Sequence, residues 1–550
     1  MSSQIMKKVT PMNRLLSLMM MAGALLSTAP ARAAAPGITT NTATAGSFTL
    51  TAKEAYLNQP DGNQVYSWGY GCVQGSSPSF APSLPAQFCN TMQVPGPTLI
   101  VTEGQPVTVT LTNNLPAPAG NTSILFPDFS VTTSCNAATP SGVQGLLTCE
   151  AAPAGQATYT FTATTPGTHA YYSGTQGDLQ IEMGLYGAII VLPAHVPAAC
   201  NTGVPAQNVI AQSMNSLAHP GVAETDFRLA HAAYDHPGSC YDREYLFQFA
   251  EMDLNIHRTA LAQLTACTGR AGCSLQVPTE PYHPNYFVIN GRSMPDDMDP
   301  NFDSVYPHQP YNGNPHMHPG EQVLVRVIGQ GRWQHTFHEH GNHVRILGRD
   351  GNLIKSVSDT YSPTAGTGTG ALAGPLLFTT TTTPGQAFDG IFYWTGRGLN
   401  WDAYGHNPDS SAANAKLTCT PDANGYNTGA PLAINYFEWC QDHNKPLQAA
   451  PFGDVPGGGP ATLPDPNIFT NGAWYSGSPY LGPDATNRAT GPLSVFQPAN
   501  SQANPGNERG YAFMWHSHNE REITTNNVFP GGMLMMMLVD SREFVIDESN

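Results

Sequence analysis

Residues 96–116 read Gly-Pro-Thr-Leu-Ile-Val-Thr-Glu-Gly-Gln-Pro-Val-Thr-Val-Thr-Leu-Thr-Asn-Asn-Leu-Pro. Two stretches in which β-branched residues alternate with polar ones flank a Glu-Gly turn. A period of two sends successive side chains to opposite faces, which suits a half-buried strand and not an amphipathic helix. Residues 158–164 alternate in the same way, and 184–191 read as a closing strand. Residues 45–195 are therefore expected to form one all-β sandwich. Composition points the same way. With 54 Gly, 48 Pro and only 11% charged residues, the chain suits many short strands joined by turns.

Beyond a Pro/Ala linker near 192–206 a second set of strands is expected. Its members are 245–252, 286–290, 322–328, 344–347 leading into an Asp350-Gly351 turn, and 387–394. Strand pattern returns at 511–518 and 533–539. The second sandwich then spans 206–540, interrupted at about 396–509 by a Pro-, Gly- and Asn-rich insertion. A stretch that long without periodicity is either a functional lid or a disulfide-pinned decoration.

The N-terminus carries an export signature. Lys7, Lys8 and Arg14 precede an apolar run at 15–26, and Ala31-Arg32-Ala33 supplies a small-x-small cleavage pattern. Residues 1–33 are expected to be a signal peptide cut after Ala33, because the apolar run is too short for a membrane span. The mature protein would be periplasmic or secreted. Ten cysteines, at 72, 89, 135, 149, 200, 240, 267, 273, 419 and 440, form an even set without a C-x-x-C pair. That argues for structural disulfides and against zinc ribbons, although connectivity stays open. Neighbours such as Cys72 with Cys89 and Cys419 with Cys440 would staple local loops. Loss of the signal moves the formal net charge from −17 to −21. So acidic a surface disfavours nucleic acid and anionic membrane and favours cations.

The densest chemistry lies in His335-Thr336-Phe337-His338-Glu339-His340-Gly341-Asn342-His343, with a second cluster at His516-Ser517-His518. Residues two apart on a strand share a face, so His338 and His340 point together, as do His516 and His518. If their strands are neighbours, four imidazoles converge in a setting suited to copper or zinc. His335 and Ser517 should face the other way, so one strand pair can present different sites on its two faces. His343 is a candidate fifth ligand or a hydrogen-bond donor behind the ligands. His316-Met317-His318 lies in a Pro-flanked turn and reads as an entry or accessory ligand, or as merely exposed. Met535-Met536-Met537 reads as core packing, and Glu520 and Glu522 as carboxylates that could join a metal site. No G-x-S-x-G, P-loop or H-E-x-x-H occurs.

The ordered signposts at 96–98 with Glu103-Gly104, 184–187, 335–341, 516–518 and Gly532-Met533 resemble those of the multicopper oxidase family. The resemblance covers most of 90–540 apart from the insertion. It implies two cupredoxin-like Greek-key sandwiches, the layout of the two-domain members, some of which assemble as trimers. In that family a type 1 copper held by Cys, two His and often Met passes electrons to a trinuclear cluster held by eight His. The resemblance maps His338, His340, His516 and His518 to trinuclear ligands, His335 to a type 1 ligand and Met533 to the axial Met. Four ligand positions of the first domain fall on Leu125, Pro127, Tyr172 and Gly174 instead of histidines. Ser517 stands where the type 1 Cys belongs, and Glu522 where its second His belongs. A serine hydroxyl is a hard donor that cannot form the copper–thiolate bond or bridge electrons covalently.

The expected function is an exported copper-binding protein, with one or two coppers per chain at a His-rich site in the second domain. The alternative is a divergent copper oxidoreductase that oxidises phenols or a metal ion such as Mn(II) with dioxygen. The expected partners are a metal ion and, for the alternative, a small-molecule reductant, with homo-oligomerisation left open.

Overall fold

A computed structural model describes residues 35–39, 46–74, 78–81, 89–135, 142–202, 228–397, 420–428, 437–441 and 510–540, with isolated stretches at 447–448, 459–460, 477–479 and residue 546. Within these residues the chain is two β-sandwiches. The first pairs a five-stranded sheet, in order Gly167–Tyr172, Tyr186–Leu192, Leu99–Thr102, Gly37–Thr39 and Ser79–Ala81, with a second of five strands. That second sheet runs Gln64–Cys72, Gly46–Asn58, Pro106–Asn113, Gln156–Thr162, Thr132–Ser134. Parallel pairs join Gly46–Asn58 to Pro106–Asn113 and Leu99–Thr102 to Tyr186–Leu192, so the strands cross between layers.

The expected alternation is realised. Along Pro106–Asn113 every second residue, from Val107 to Asn113, is buried. Val107, Val109 and Leu111 meet Trp68, Tyr159 and Tyr171 in one core. Gly104 sits at φ +79° in the turn between Leu99–Thr102 and this strand, a conformation that a Cβ would strain.

The second sandwich holds a seven-stranded sheet centred on Arg243–Met252, Gln322–Gly329 and Ala387–Tyr393, and a six-stranded sheet. The six-stranded sheet orders His316–Met317, Leu534–Asp540, Gly510–Ser517, His335–Glu339 and Thr379–Thr382, with Gly477–Pro479 on Gly510–Ser517. Arg243–Met252 is buried at all ten positions. One of its faces packs on its own core through Tyr245, Phe247 and Phe249. Leu246, Ala250 and Met252, on the other face, meet residues of the first sandwich such as Ile190, Val94 and Tyr186. A strand buried on both faces loses the alternation of a surface strand.

The interface also carries charge. Arg326 reaches Asp389 (3.3 Å) and Thr168 (3.1 Å), and Thr168 donates to Asp389 at 2.6 Å, linking the two sandwiches through buried groups. The helix Leu254–Cys267 is an addition to the elements expected from the strand pattern. Asp253 caps it by accepting from the Asn255 N–H at 2.9 Å, and Ile256 and Ala260 enter the core of the first sandwich.

Disulfides join Cys72 to Cys89, Cys135 to Cys149, Cys200 to Cys240 and Cys267 to Cys273. Cys440 is also disulfide-bonded, while Cys419 lies outside the described residues. Residues 1–34, which include the expected signal segment, and most of the 396–509 insertion lie outside them too. Among the described residues no helix is long and apolar enough to cross a membrane.

Candidate metal centre

His335–Glu339 and Gly510–Ser517 are antiparallel neighbours, with His338 opposite His516 and Phe337 opposite Ser517. This register brings the four imidazoles together. Ring centroids lie 4.4 Å apart for His338 and His518, 4.8 Å for His338 and His340, 5.1 Å for His340 and His516, and 5.6 Å for His338 and His516. The Nε2 atoms of His340 and His516 face each other at 3.2 Å. Gly341 follows at φ +100°, turning the chain out of the strand directly after the ligand pair.

Each ring is held from behind. His338 Nδ1 meets Thr379 Oγ1 at 2.7 Å, and His516 Nδ1 donates to the Ser517 carbonyl at 2.7 Å. The latter bond puts the proton on Nδ1 and leaves the lone pair on Nε2, so in the metal-free geometry His340 supplies the proton shared between the two Nε2 atoms. His338 and His340 are buried, His516 is half-buried and His518 is exposed, so the cluster opens to solvent at His518. Burial, together with the neighbouring His340, His518 and His516, pushes His338 down to about 3, and burial lowers His516 as well. Crowded, neutral imidazoles are the ligating form, and this donor chemistry fits copper. Among the described residues no three His, Cys, Asp or Glu side chains close a coordination sphere, so the four imidazoles are neighbours whose nitrogens do not converge on one point.

The opposite face has different chemistry. Both nitrogens of the buried His335 lie on carboxylates. Nε2 is 2.9 Å from Glu251 Oε2, and Nδ1 is 3.0 Å from Glu522 Oε2, an ion-pair distance off the line of an N–H bond. Burial alone would lower this imidazole, but the two carboxylates outweigh it and hold it at about 9. Ser517 donates to Glu522 Oε2 at 2.5 Å, and Asn519 donates to Glu522 Oε1 at 3.0 Å. Glu251 also accepts from the backbone N–H groups of Arg332 and Trp333 and from the Tyr282 hydroxyl. Tyr282 donates in turn to Glu182 of the first sandwich at 2.5 Å. The residues at the position resembling a type 1 copper site thus form an imidazolium between two carboxylates, with no thiolate and neither ring nitrogen turned away from a carboxylate. This set does not fit a type 1 copper.

The remaining candidates fall outside the imidazole cluster. Met533 is fully buried in the core and exchanges backbone bonds with Glu522 and Ser517. His343 packs its ring on Phe378, with centroids 3.7 Å apart. His316 and His318 are not exposed in a turn. They are buried, and the Nδ1 of each lies against Asp540. In the first sandwich Leu125 pairs with Tyr172, and a Cβ on Gly174 would meet Leu125 at 2.7 Å. The segments of the first-domain ligand positions are therefore adjacent yet carry no imidazole.

Glu251 and Thr379 join the site without any signal in the sequence. No motif marks either one, and only the pairing of distant strands brings them beside the histidines.

These features define a double β-sandwich protein with an imidazole cluster in its second sandwich. Residues 82–195 match the family model described as multicopper oxidase. The chain is 35% identical over 113 residues to Laccase-3 of Botryotinia fuckeliana, a span of 20% of this chain and 22% of that protein. It thus matches about a fifth of that relative's length. Among solved structures, a multicopper oxidase named mgLAC shares 14% identity at TM-score 0.41, over 90% of this chain and 86% of that one. A blue copper oxidase from Nitrosomonas europaea shares 13% at TM-score 0.41, over 90% and 85%. At these values neither likeness bears on function.

Proposed function

We propose that this chain is an exported copper-binding protein whose copper is held by His338, His340, His516 and His518. The observation that carries the reading is the cluster of four neighbouring imidazoles, of which His338 and His516 are held below the usual imidazole range by burial, backed by Thr379 and the Ser517 carbonyl. No packing requirement calls for four such rings side by side. Copper bound there would supply one-electron chemistry. The chain's own residues orient the rings, fix the proton of His516 on Nδ1 and leave access from the His518 side. Ser517, in the place of a thiolate, gives no covalent path for electrons into the cluster, which favours binding, storage or delivery over oxidase turnover. One or two coppers per chain suit four imidazoles, half the eight of a three-copper cluster. The acidic net charge of the chain would draw cations toward it.

A second reading rests on the exposed edge at His518. A small reductant such as a phenol, or a metal ion such as Mn(II), could approach there, making the chain a divergent copper oxidoreductase. The test is copper content of the mature protein after loading and desalting. One or two coppers, lost in the His338→Ala/His516→Ala variant and unaccompanied by an intense blue band, support binding at this cluster. No retained copper overturns it. Oxygen uptake with phenols or Mn(II), abolished by His338→Ala, would favour the second reading over the first.

A further inference from the structure

The register that joins the imidazoles also brings a thioether beside them. His338 lies opposite His516, and the pairing runs on, with the His340 N–H donating to the Met514 carbonyl at 3.4 Å. One step further Gly341 packs on Phe513, where a Cβ would stand 2.9 Å from the ring. His340 therefore lies opposite Met514, and His338, His340, His516 and Met514 are the four corners of one patch of sheet. Residues two apart on a strand share a face, so the Met514 side chain points with that of His516. Its chain neighbours Phe513 and Trp515 are fully buried in the core, whereas Met514 is half-buried on the imidazole face.

The rings divide this patch unevenly. His340 and His516 occupy one diagonal and turn their Nε2 atoms toward each other at 3.2 Å. His338 and Met514 hold the other two corners. The closest ring contact of His338 is with His518, at 4.4 Å between centroids against 5.6 Å to His516. The corner beside the facing nitrogens of His340 and His516 is thus left to Met514. Directly opposed residues have Cβ atoms about 4.5–5.5 Å apart, and the flexible methionine side chain carries its sulfur across such a gap. Met536 lies opposite Met514 on its other side, one strand further from His340.

Resting on the reading of the four histidines as copper ligands, we propose that Met514 is a further copper ligand and that the cluster holds two unlike positions. The inner position is formed by His340, His516 and Met514, two nitrogens and a thioether sulfur. Thioether is a soft donor that selects Cu(I), while imidazole serves either oxidation state. None of these three donors is a carboxylate, so a single positive charge is less costly to hold there than a double one. The outer position lies between His338 and the exposed His518, has nitrogen donors alone and meets solvent. Two pairs of rings, each serving its own ion, account for four imidazoles that are neighbours without converging on one point.

The test is copper-edge X-ray absorption of the full mature chain loaded anaerobically with Cu(I) as its acetonitrile complex. At one equivalent the copper should show nitrogen neighbours and one sulfur. Every described cysteine is disulfide-bonded, so that sulfur is assigned to a thioether. Met514→Leu, which is close in volume, should abolish the sulfur neighbour and keep the nitrogens. Met536→Leu, which removes a thioether one strand further from His340, should leave the sulfur in place. A second equivalent should add nitrogen neighbours only, and His518→Ala should remove it while sparing the sulfur. Should Met514→Leu not fold, methyl NMR of the native chain with labelled methionine gives the second reading, because the Met514 methyl signal should move with the first equivalent of diamagnetic Cu(I). Bound copper without a sulfur neighbour, a sulfur neighbour that survives Met514→Leu, or an unmoved Met514 methyl overturns the ligand and leaves the four-histidine reading standing. A chain that retains no copper overturns both.

Discussion

The charge cluster behind the imidazoles sets how stability should vary with pH. His335 is raised from 6.5 to about 9 because the attraction of Glu251 and Glu522 exceeds the cost of burial. A rise of this size corresponds to about 3 kcal/mol of stability at 1.36 kcal/mol per unit. The folded-state value lies above the unfolded one, so the contribution is fully present below pH 6.5 and is lost as pH climbs through 9. Glu522→Gln removes one of the two carboxylate charges while keeping an oxygen for the Ser517 hydroxyl. His335 should then titrate about one unit lower, and the variant should be about 1–2 kcal/mol less stable at pH 7. The gap between wild type and variant should hold up to about pH 7.5 and nearly vanish by pH 10. Denaturant midpoints at a series of pH values measure the gap, and ring NMR of His335 gives its midpoint directly. A gap unchanged up to pH 10, or a wild-type His335 midpoint near 6.5, would refute the imidazolium reading.

Other consequences can be checked independently. In metal-free protein His338, held near 3, should stay neutral down to about pH 4 by ring NMR. Its effect on stability has the opposite sign to that of His335. Below pH 6.5 the unfolded chain takes up a proton that the folded one refuses, so this group destabilises the fold on acidification. Phe337→Ala removes a fully buried ring packed 4.7 Å from Phe249 and edge-on to Trp515, and should cost about 3–5 kcal/mol in denaturant unfolding. Gly341→Ala puts a Cβ at φ +100° and 2.9 Å from the Phe513 ring, and should lower stability by about 1–3 kcal/mol in the same assay. The exported protein should begin at Ala34, as the intact mass of secreted material will show.

Much of the fold was legible because its strands obey period two. Alternation located Pro106–Asn113 and Gln322–Gly329 almost to the residue, and Gln156–Thr162 to within two residues at each end. The pairing of His338 with His516 followed from parity once the two strands were neighbours, and parity likewise put His335 and Ser517 on the other face. The helix Leu254–Cys267 escaped notice because its buried residues reach into the other sandwich, so its pattern records an interface rather than one amphipathic stripe. Glu251 escaped for a related reason. It lies in a strand buried at every position, where a carboxylate reads as an interruption, and only its distance to His335 reveals its role. The prolines around His316 and His318 suit a turn, whereas parallel pairing of His316–Met317 with Leu534–Asp540 and the contacts of both rings with Asp540 draw them inside.

The way Leu254–Cys267 lodges in the first sandwich has a bearing on biosynthesis. The N-terminal half cannot close its core from its own residues, since Ile256 and Ala260 complete it and His257 Nδ1 donates to the Tyr66 carbonyl at 2.6 Å. A nascent chain emerging in order would hold an unfinished first half until residue 267 had followed. A fragment ending at 195 should accordingly precipitate or recruit chaperones, and one extended to the Cys267–Cys273 loop should be markedly more soluble. The two halves are thus a single unit of inheritance: recombination at the linker would separate a plug from the socket it was shaped to fill.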